Sequence, residues 1–158
     1  MNAKDLLERF ECHQYTGQTC TDVTYFFRAP KPIRRLSGES DILYIGKTAQ
    51  GINSRYRQET RANNSPGNTQ QTNIRTTYIF RRLEIPQPTC FFIKVEDFHL
   101  QGNDCAAFLE KLRFWDKKFY IGLNIFPETN DIVIPLEKYL LISYADEHLE
   151  VPPLNNRV

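Results

Sequence analysis

The sequence lacks the features that mark several common classes of protein. No two cysteines form a C-x-x-C pair, and with only three histidines the chain shows no ligand spacing typical of a zinc site. No run approaches the roughly 18 apolar residues that a membrane-spanning helix requires. The net charge is +1, so overall charge gives no support for a nucleic-acid partner. The chain begins with an acidic, amphipathic segment unlike a signal peptide, and we expect a cytoplasmic protein without membrane contact.

The composition and hydrophobic patterning instead favour an ordinary globular domain. Apolar residues make up 41% of the 158 residues, enough for one hydrophobic core. Residues 22–28 and 41–47 are rich in β-branched and aromatic side chains and are predicted to form a hairpin, with Pro30 and Pro32 ending its first strand. The other predicted elements are a short helix at 3–10, a helix at 52–61, a strand at 90–95, a strand or buried loop at 119–126, and helices at 105–117 and about 135–144.

These elements predict a single α+β domain over residues 1–158. Its core would be a small antiparallel or mixed sheet of three strands, flanked by helices. Three segments are additions to this core: an N-terminal extension at 1–20, a hairpin insert at 29–41, and an inserted loop or helix at 63–88. Within the last of these, the polar residues 63–73 predict a loop, and residues 75–83 a helix or a strand.

Several short motifs carry the chemical information. Residues 43–48 read L-Y-I-G-K-T at the end of the second predicted strand, with V-T-Y at 23–25 in the first and I-N-S-R at 52–55 on the next helix. Residues 136–141 read L-E-K-Y-L-L, and P-P-L-N follows at 152–155. In this order the motifs resemble those of the GIY-YIG nuclease family. The resemblance implies a GIY-YIG-like fold and a divalent-metal-dependent endonuclease that hydrolyses DNA phosphodiester bonds.

The resemblance also implies a role for each matched residue. Glu137 would bind Mg²⁺ or Mn²⁺, because such hard ions prefer carboxylate oxygen and keep several waters. Arg55 would hold the scissile phosphate with its planar fork. Tyr25 and Tyr44 would activate or position the attacking water, and Lys47 would contact the phosphate. Taken singly, each has an ordinary alternative: a helix-start carboxylate, a surface arginine, a strand-end lysine or a cross-strand aromatic pair.

The hairpin and the residue before the next helix depart from the family's pattern. Val23 replaces the family's initial glycine, and one extra residue, Gly51, precedes the helix. Tyr25 and Tyr44 are 19 positions apart, further than the family's usual hairpin gives, although some restriction-enzyme members have enlarged hairpins. Phe26 therefore stands as an alternative to Tyr25 in the alignment.

Glu59 is the other departure, because many family members have a histidine one turn after the arginine. As an i, i+4 neighbour, Glu59 could simply pair with Arg55. It could also act as a base or as a second metal ligand. If the histidine is indispensable, the chain would be inactive.

The compact layout resembles restriction endonucleases of the family, which build DNA recognition into the catalytic core and dimerise to cut both strands. Double-stranded DNA is the expected partner, with a homodimer possible. The expected contacts to phosphates or bases are Arg34, Arg35, Arg75, Arg81 and Asn155. Asn155 would either tie the tail to the site or touch the phosphate. Two alternatives stay open: a stand-alone repair or mobile-element nuclease, and a non-catalytic nucleic-acid-binding domain of the same fold.

Overall fold

Two antiparallel sheets and four helices make up the part of the chain that the computed structural model describes, which is residues 1–60, 88–117, 125–126, 131–155 and 158. For residues 59–60 and 125–126 only the backbone is described. In chain order the elements are α1 (Ala3–Arg9), β1 (His13–Gln14), β2 (Val23–Arg34), β3 (Glu39–Thr48), α2 (Ile52–Thr60), β4 (Thr89–Ile93), β5 (Asp97–Leu100), α3 (Gly102–Trp115), β6 (Ile125–Phe126), β7 (Asp131–Pro135) and α4 (Leu136–His148).

The main sheet has four strands in the order β1-β4-β2-β3. The α+β class is confirmed, but the prediction of a three-stranded sheet is wrong. The additional strand is β1, whose His13 and Gln14 pair with Phe92 and Phe91 of β4. Two residues are too few to show an alternating pattern, so this strand is held by its neighbour rather than by its own sequence. A second sheet, β5-β7-β6, was not predicted either.

Strand β2 continues through Pro30 and Pro32, so the prediction that these prolines end it is wrong. Its pairing with β3 shifts register between Arg28, which faces Ile42, and Ile33, which faces Ser40. Residues 29–32 therefore stand opposite a single residue of β3. A proline has no N–H to donate, and an irregular stretch of this kind is where a strand tolerates one.

The two faces of the main sheet bury different sets of side chains. Phe26 and Ile45 pack with Leu136 and Leu140 of α4 in one cluster. Tyr25, Phe27 and Leu43 pack in another cluster, together with Ile52 of α2 and Leu154 of the C-terminal tail. This separation follows from the alternation of side chains along a strand. It places Tyr25, rather than Phe26, on the face that carries α2.

Helices α3 and α4 lie side by side in opposite directions. Lys111 of α3 pairs with Asp146 near the end of α4 at 3.0 Å, whereas Asp116, just after α3, pairs with Lys138 in the first turn of α4 at 2.6 Å. The C-terminal end of α3 is therefore next to the start of α4. Both helices were predicted, although α3 begins three residues earlier and α4 ends four residues later than expected.

Within the described ranges, no helix is long and apolar enough to span a membrane. The predicted loop at 63–73, the segment at 75–83 and most of 119–126 lie outside those ranges, as do Arg75, Arg81 and the side chain of Glu59.

Candidate active site

The two signature tyrosines lie on the same face of the β2–β3 hairpin. Tyr25 is opposite Gly46, and Tyr44 is opposite Phe27. The centroids of the two tyrosine rings are 5.9 Å apart, with their planes at 36°. Tyr25 has no exposed surface, whereas Tyr44 is half-buried. The two side chains therefore differ in their exposure to solvent.

Arg55 of α2 is held against the buried tyrosine. Its Nε donates a hydrogen bond to the Tyr25 hydroxyl at 3.2 Å, and Nη1 donates to Gln58 Oε1 at 3.3 Å. Helix α2 is fixed at its start because the Ile52 side chain is fully buried and the Ile52 N–H donates to the Cys20 carbonyl. Residues three apart share one face of a helix, so the burial of Ile52 directs Arg55 toward the sheet.

Gly46 leaves the space in which the two tyrosines meet. A Cβ atom built on Gly46 would lie 2.7 Å from Cε1 of Tyr44 and 2.8 Å from both Cζ and the hydroxyl oxygen of Tyr25. These distances are too short for van der Waals contact, so only glycine fits between the rings in this arrangement. The glycine of the signature is thus explained by packing around the tyrosine hydroxyl.

Glu137 is the half-buried carboxylate at the start of α4. Burial raises its pKa above the ordinary value, and the positive charges of Lys47, Lys138 and Arg55 oppose that rise. A charge can affect the pKa only from nearby, so Glu137 lies within electrostatic reach of all three cations. Lys47 is exposed on β3, next in sequence to Gly46.

The raised pKa of Glu137 gives a prediction for the stability of the protein. The carboxyl of Glu137 holds its proton more tightly in the folded protein than in the unfolded chain. Ionisation of Glu137 therefore lowers the free energy of unfolding as the pH rises from 4.5 through the raised pKa. Glu137→Gln is expected to raise the melting temperature at about pH 8, and this gain should disappear below pH 4.5. Melting curves of both proteins across this range test it. A variant that is less stable than the wild type at about pH 8 would contradict it.

Asn155 closes the free edge of β3 beside the signature. Its Oδ1 accepts from the Ile45 N–H at 2.9 Å, and its Nδ2 donates to the Ile45 carbonyl at 2.8 Å. The Leu154 N–H also donates to the Leu43 carbonyl at 2.9 Å. The side-chain amide thus bonds both backbone groups of Ile45, as the backbone of a neighbouring strand would. Ile45 lies between Tyr44 and Gly46 in the sequence. In this structure Asn155 ties the tail to β3, and its contact with a phosphate stays a prediction.

Removing this amide is expected to destabilise the protein. Asn155→Ala loses two hydrogen bonds at a sheet edge, which together contribute about 1–3 kcal/mol to the free energy of unfolding. Urea unfolding of the variant beside the wild type measures this loss. An unchanged free energy of unfolding would show that water replaces the amide without cost.

Two of the arginines expected to contact DNA lie at the turn of the hairpin, far from Glu137. Arg34 is exposed, whereas the side chain of Arg35 is only 9% exposed and pairs with Glu150 at 3.0 Å. The turn packs on the end of α4, where the Ser37 N–H donates to the His148 carbonyl. Positions 137 and 148 are eleven steps apart along α4, which corresponds to about 17 Å. Arg35 therefore fastens the hairpin to the end of α4 in this structure.

Two partners of the site residues were not predicted from the sequence. Gln58 contacts Arg55 from the i+3 position, the spacing at which helical neighbours meet, although only Glu59 was considered. Lys138 follows Glu137 directly and acts on its pKa. The pairing of Lys138 with Asp116 joins residues 22 positions apart, and no local pattern indicates such a contact.

In the described ranges, no three or more histidine, cysteine, aspartate or glutamate side chains come together in a metal-binding group. Among the signature residues whose side chains the structure describes, Glu137 is the only carboxylate. No protein-family model matches the sequence, and neither curated proteins nor solved structures give a match.

Proposed function

We propose that the chain is a divalent-metal-dependent endonuclease of the GIY-YIG type, which hydrolyses phosphodiester bonds of double-stranded DNA. The observation that carries the proposal is the hydrogen bond that fixes Arg55 on Tyr25 at 3.2 Å, with the charges of Arg55 and Lys47 acting on the Glu137 carboxylate. Two cations beside one half-buried carboxylate form a site suited to a phosphate group, because the cations attract it and the carboxylate favours a metal ion.

Arg55 is the residue that would hold the phosphate. A guanidinium group keeps its charge at any physiological pH and offers a fixed, planar set of N–H donors. The hydrogen bond to Tyr25 fixes its position before a substrate arrives. A guanidinium that is already in place stabilises the negative charge that develops on a phosphate during hydrolysis, because its side chain need not be reoriented during the reaction.

The burial of the tyrosines supports a division of labour between them. Tyr25 has no exposed surface and is engaged with Arg55, so it would act as the residue that positions the guanidinium. Tyr44 is half-buried in the same aromatic group, so it is the tyrosine that would activate or position an attacking water. Lys47, whose charge acts on Glu137, would stabilise negative charge on the phosphate.

A hard divalent ion suits the donors that are present. Mg²⁺ is commonly held by one or two carboxylates, with waters and substrate phosphates completing its coordination. Glu137 would be the protein ligand, and the ion would neutralise charge on the phosphate and the leaving oxygen. The positive charges that act on Glu137 oppose a second cation there, so the negative charge of bound DNA would favour binding of the ion.

The test is digestion of several long duplex DNAs with and without Mg²⁺, beside single-stranded and branched DNA. Discrete fragments that require the metal are expected, and they would support the narrower proposal of a restriction endonuclease acting as a homodimer. Metal-dependent smears, nicks or cleavage confined to branched DNA would support a repair or mobile-element nuclease. Binding of DNA without cleavage of any substrate would contradict the enzyme and leave a nucleic-acid-binding domain.

A further inference from the structure

A pocket of about 240 Å³ lies outside the candidate active site. Its lining comes from α1, β5, α3 and α4, and none of the lining residues belongs to the signature. Pockets that hold drug-sized molecules measure about 300–1,000 Å³, so a pocket of this size suits a molecule with a single ring system. The side chains of the lining indicate the chemistry of such a molecule.

Three aromatic rings line the pocket and contact one another. The ring centroid of Tyr139 is 4.6 Å from that of Phe98 and 5.0 Å from that of Phe108. Leu100 and Phe108 are buried, so the apolar part of the lining is fixed by the core. Ala107, an exposed residue of α3, adds only a methyl group and leaves room beside the rings. A flat apolar ring matches this lining, because aromatic rings pack favourably against one another when offset or edge-on.

Arg9 supplies the pocket with a positive charge. Its Nη2 donates a hydrogen bond to the Tyr139 hydroxyl at 3.0 Å, and its guanidinium carbon lies 5.9 Å from the centre of the Tyr139 ring. With the other described residues Arg9 forms no ion pair. Lys111 also lines the pocket, but its charge is balanced by Asp146 at 3.0 Å. Arg9 is therefore the cation of the lining that is left to bind an anionic group.

Asp104 supplies the same pocket with a negative charge. It lies in the first turn of α3, where the helix dipole favours a carboxylate, and its side chain has no hydrogen bond or ion pair with the other described residues. Arg9 and Asp104 thus line one small pocket without pairing with each other. A guanidinium and a carboxylate that can each bind an opposite charge match a molecule that carries both signs of charge.

We infer that the pocket binds a small aromatic zwitterion, the chemical class to which the free aromatic amino acids belong. The carboxylate of the ligand would pair with Arg9 and its ammonium group with Asp104. Its ring would pack against the aromatic part of the lining, Phe98, Phe108 and Tyr139. A purely anionic or purely cationic molecule would meet only one of the two charges. The inference does not depend on the proposed nuclease, because none of the lining residues belongs to the candidate active site.

Isothermal titration calorimetry of the intact chain, without DNA or metal, compares L-phenylalanine with molecules that each lack one of its groups. L-Phenylalanine is expected to bind to a single site. 3-Phenylpropanoate lacks the ammonium group and phenethylamine lacks the carboxylate. Each should bind about 10-fold to 100-fold more weakly, which is the effect of losing one hydrogen bond between charged groups. L-Alanine, which has no ring, should give no measurable binding.

Variants of the lining assign each charge of the ligand to its partner. Arg9→Gln should weaken binding of L-phenylalanine about 10-fold to 100-fold without weakening that of phenethylamine, which has no carboxylate. Asp104→Asn should weaken binding of L-phenylalanine to a similar extent without weakening that of 3-phenylpropanoate. Ala107→Leu should fill the pocket and abolish binding. Ala106→Leu, at an exposed alanine of α3 outside the lining, is the matched control and should bind normally.

Melting curves establish that each variant is folded before its binding is compared. If neither L-phenylalanine nor L-tryptophan shows saturable binding at about 10 mM, the inference is overturned. Equal affinities for L-phenylalanine and 3-phenylpropanoate would also overturn it, because the site would then recognise only an anion. So would binding of L-phenylalanine that neither Arg9→Gln nor Asp104→Asn weakens.

Discussion

Arg55→Ala is expected to lower the rate of DNA cleavage by about 100-fold to 1000-fold, the usual cost of removing one donor that stabilises transition-state charge. The loss should appear in kcat, because the charge of the phosphate increases as the bond breaks. Arg55→Lys should recover little of the rate, since a lysine keeps the charge but not the planar group that bonds to Tyr25. Single-turnover cleavage with saturating protein measures these rates.

Arg57 provides a control for the Arg55 variants on the same helix. It is exposed, lies two positions further along and therefore points away from Arg55. Arg57→Ala removes the same charge from the protein and is expected to leave the single-turnover rate nearly unchanged. Equal losses from both variants would show that only general attraction of DNA is involved, and would contradict a specific role for Arg55.

Gly46→Ala is expected to damage stability and cleavage together. Because glycine loses more backbone entropy than alanine when it folds into a strand, alanine alone would stabilise the protein by about 0.5–1 kcal/mol. Here the added methyl group would lie within 2.8 Å of both tyrosine rings, and Tyr25 is enclosed by Phe27 and Arg55. Forcing a methyl group into a packed site costs about 1–3 kcal/mol, so the sign of the effect should reverse. Any shift of Tyr25 would also move Arg55, and the cleavage rate should fall.

Gly51→Ala is the matched control for the Gly46 variant. A Cβ atom at Gly51 would meet the end of the Asn53 side chain at 2.6 Å, and that side chain can turn away. This variant should lose less than about 1 kcal/mol, mainly because alanine is a poorer residue before a helix, and should keep cleavage. Thermal unfolding and cleavage are measured on both variants. A Gly46→Ala protein with wild-type stability and rate would contradict the proposed packing of the site.

Local patterns were sufficient to predict the hairpin, the start of α2 and a cross-strand position for the two tyrosines, although they left Phe26 as an alternative to Tyr25. Alternation along β2 and β3 puts Tyr25 and Tyr44 on one face, and the spacing of Ile52 and Arg55 puts both on one side of α2. The second sheet could not be predicted in the same way. Strands β5 and β7 have only four and five residues, and β7 passes directly into α4 without a turn sequence.

Contacts between residues far apart in the sequence account for the side-chain pairings at the site that local patterns do not indicate. The exposed charge expected at Arg35 is paired with Glu150, 115 positions away, and Asn155 binds Ile45 across 110 positions. Such pairings depend on how α4 and the tail fold back on the hairpin. The approach of Lys47 and Arg55 to Glu137 depends on the same packing, so a motif could indicate these residues but not their electrostatic coupling.

The most direct test of a nuclease site at Glu137 is cleavage of long duplex DNA by the Glu137→Gln variant in Mg²⁺. A metal ion that stabilises the reacting phosphate contributes several kcal/mol, so the variant should be slower by about 1000-fold or more. Glu8→Gln, at an exposed carboxylate of α1, should cut normally. Cleavage by Glu137→Gln at the wild-type rate, with the same dependence on Mg²⁺, would contradict the account.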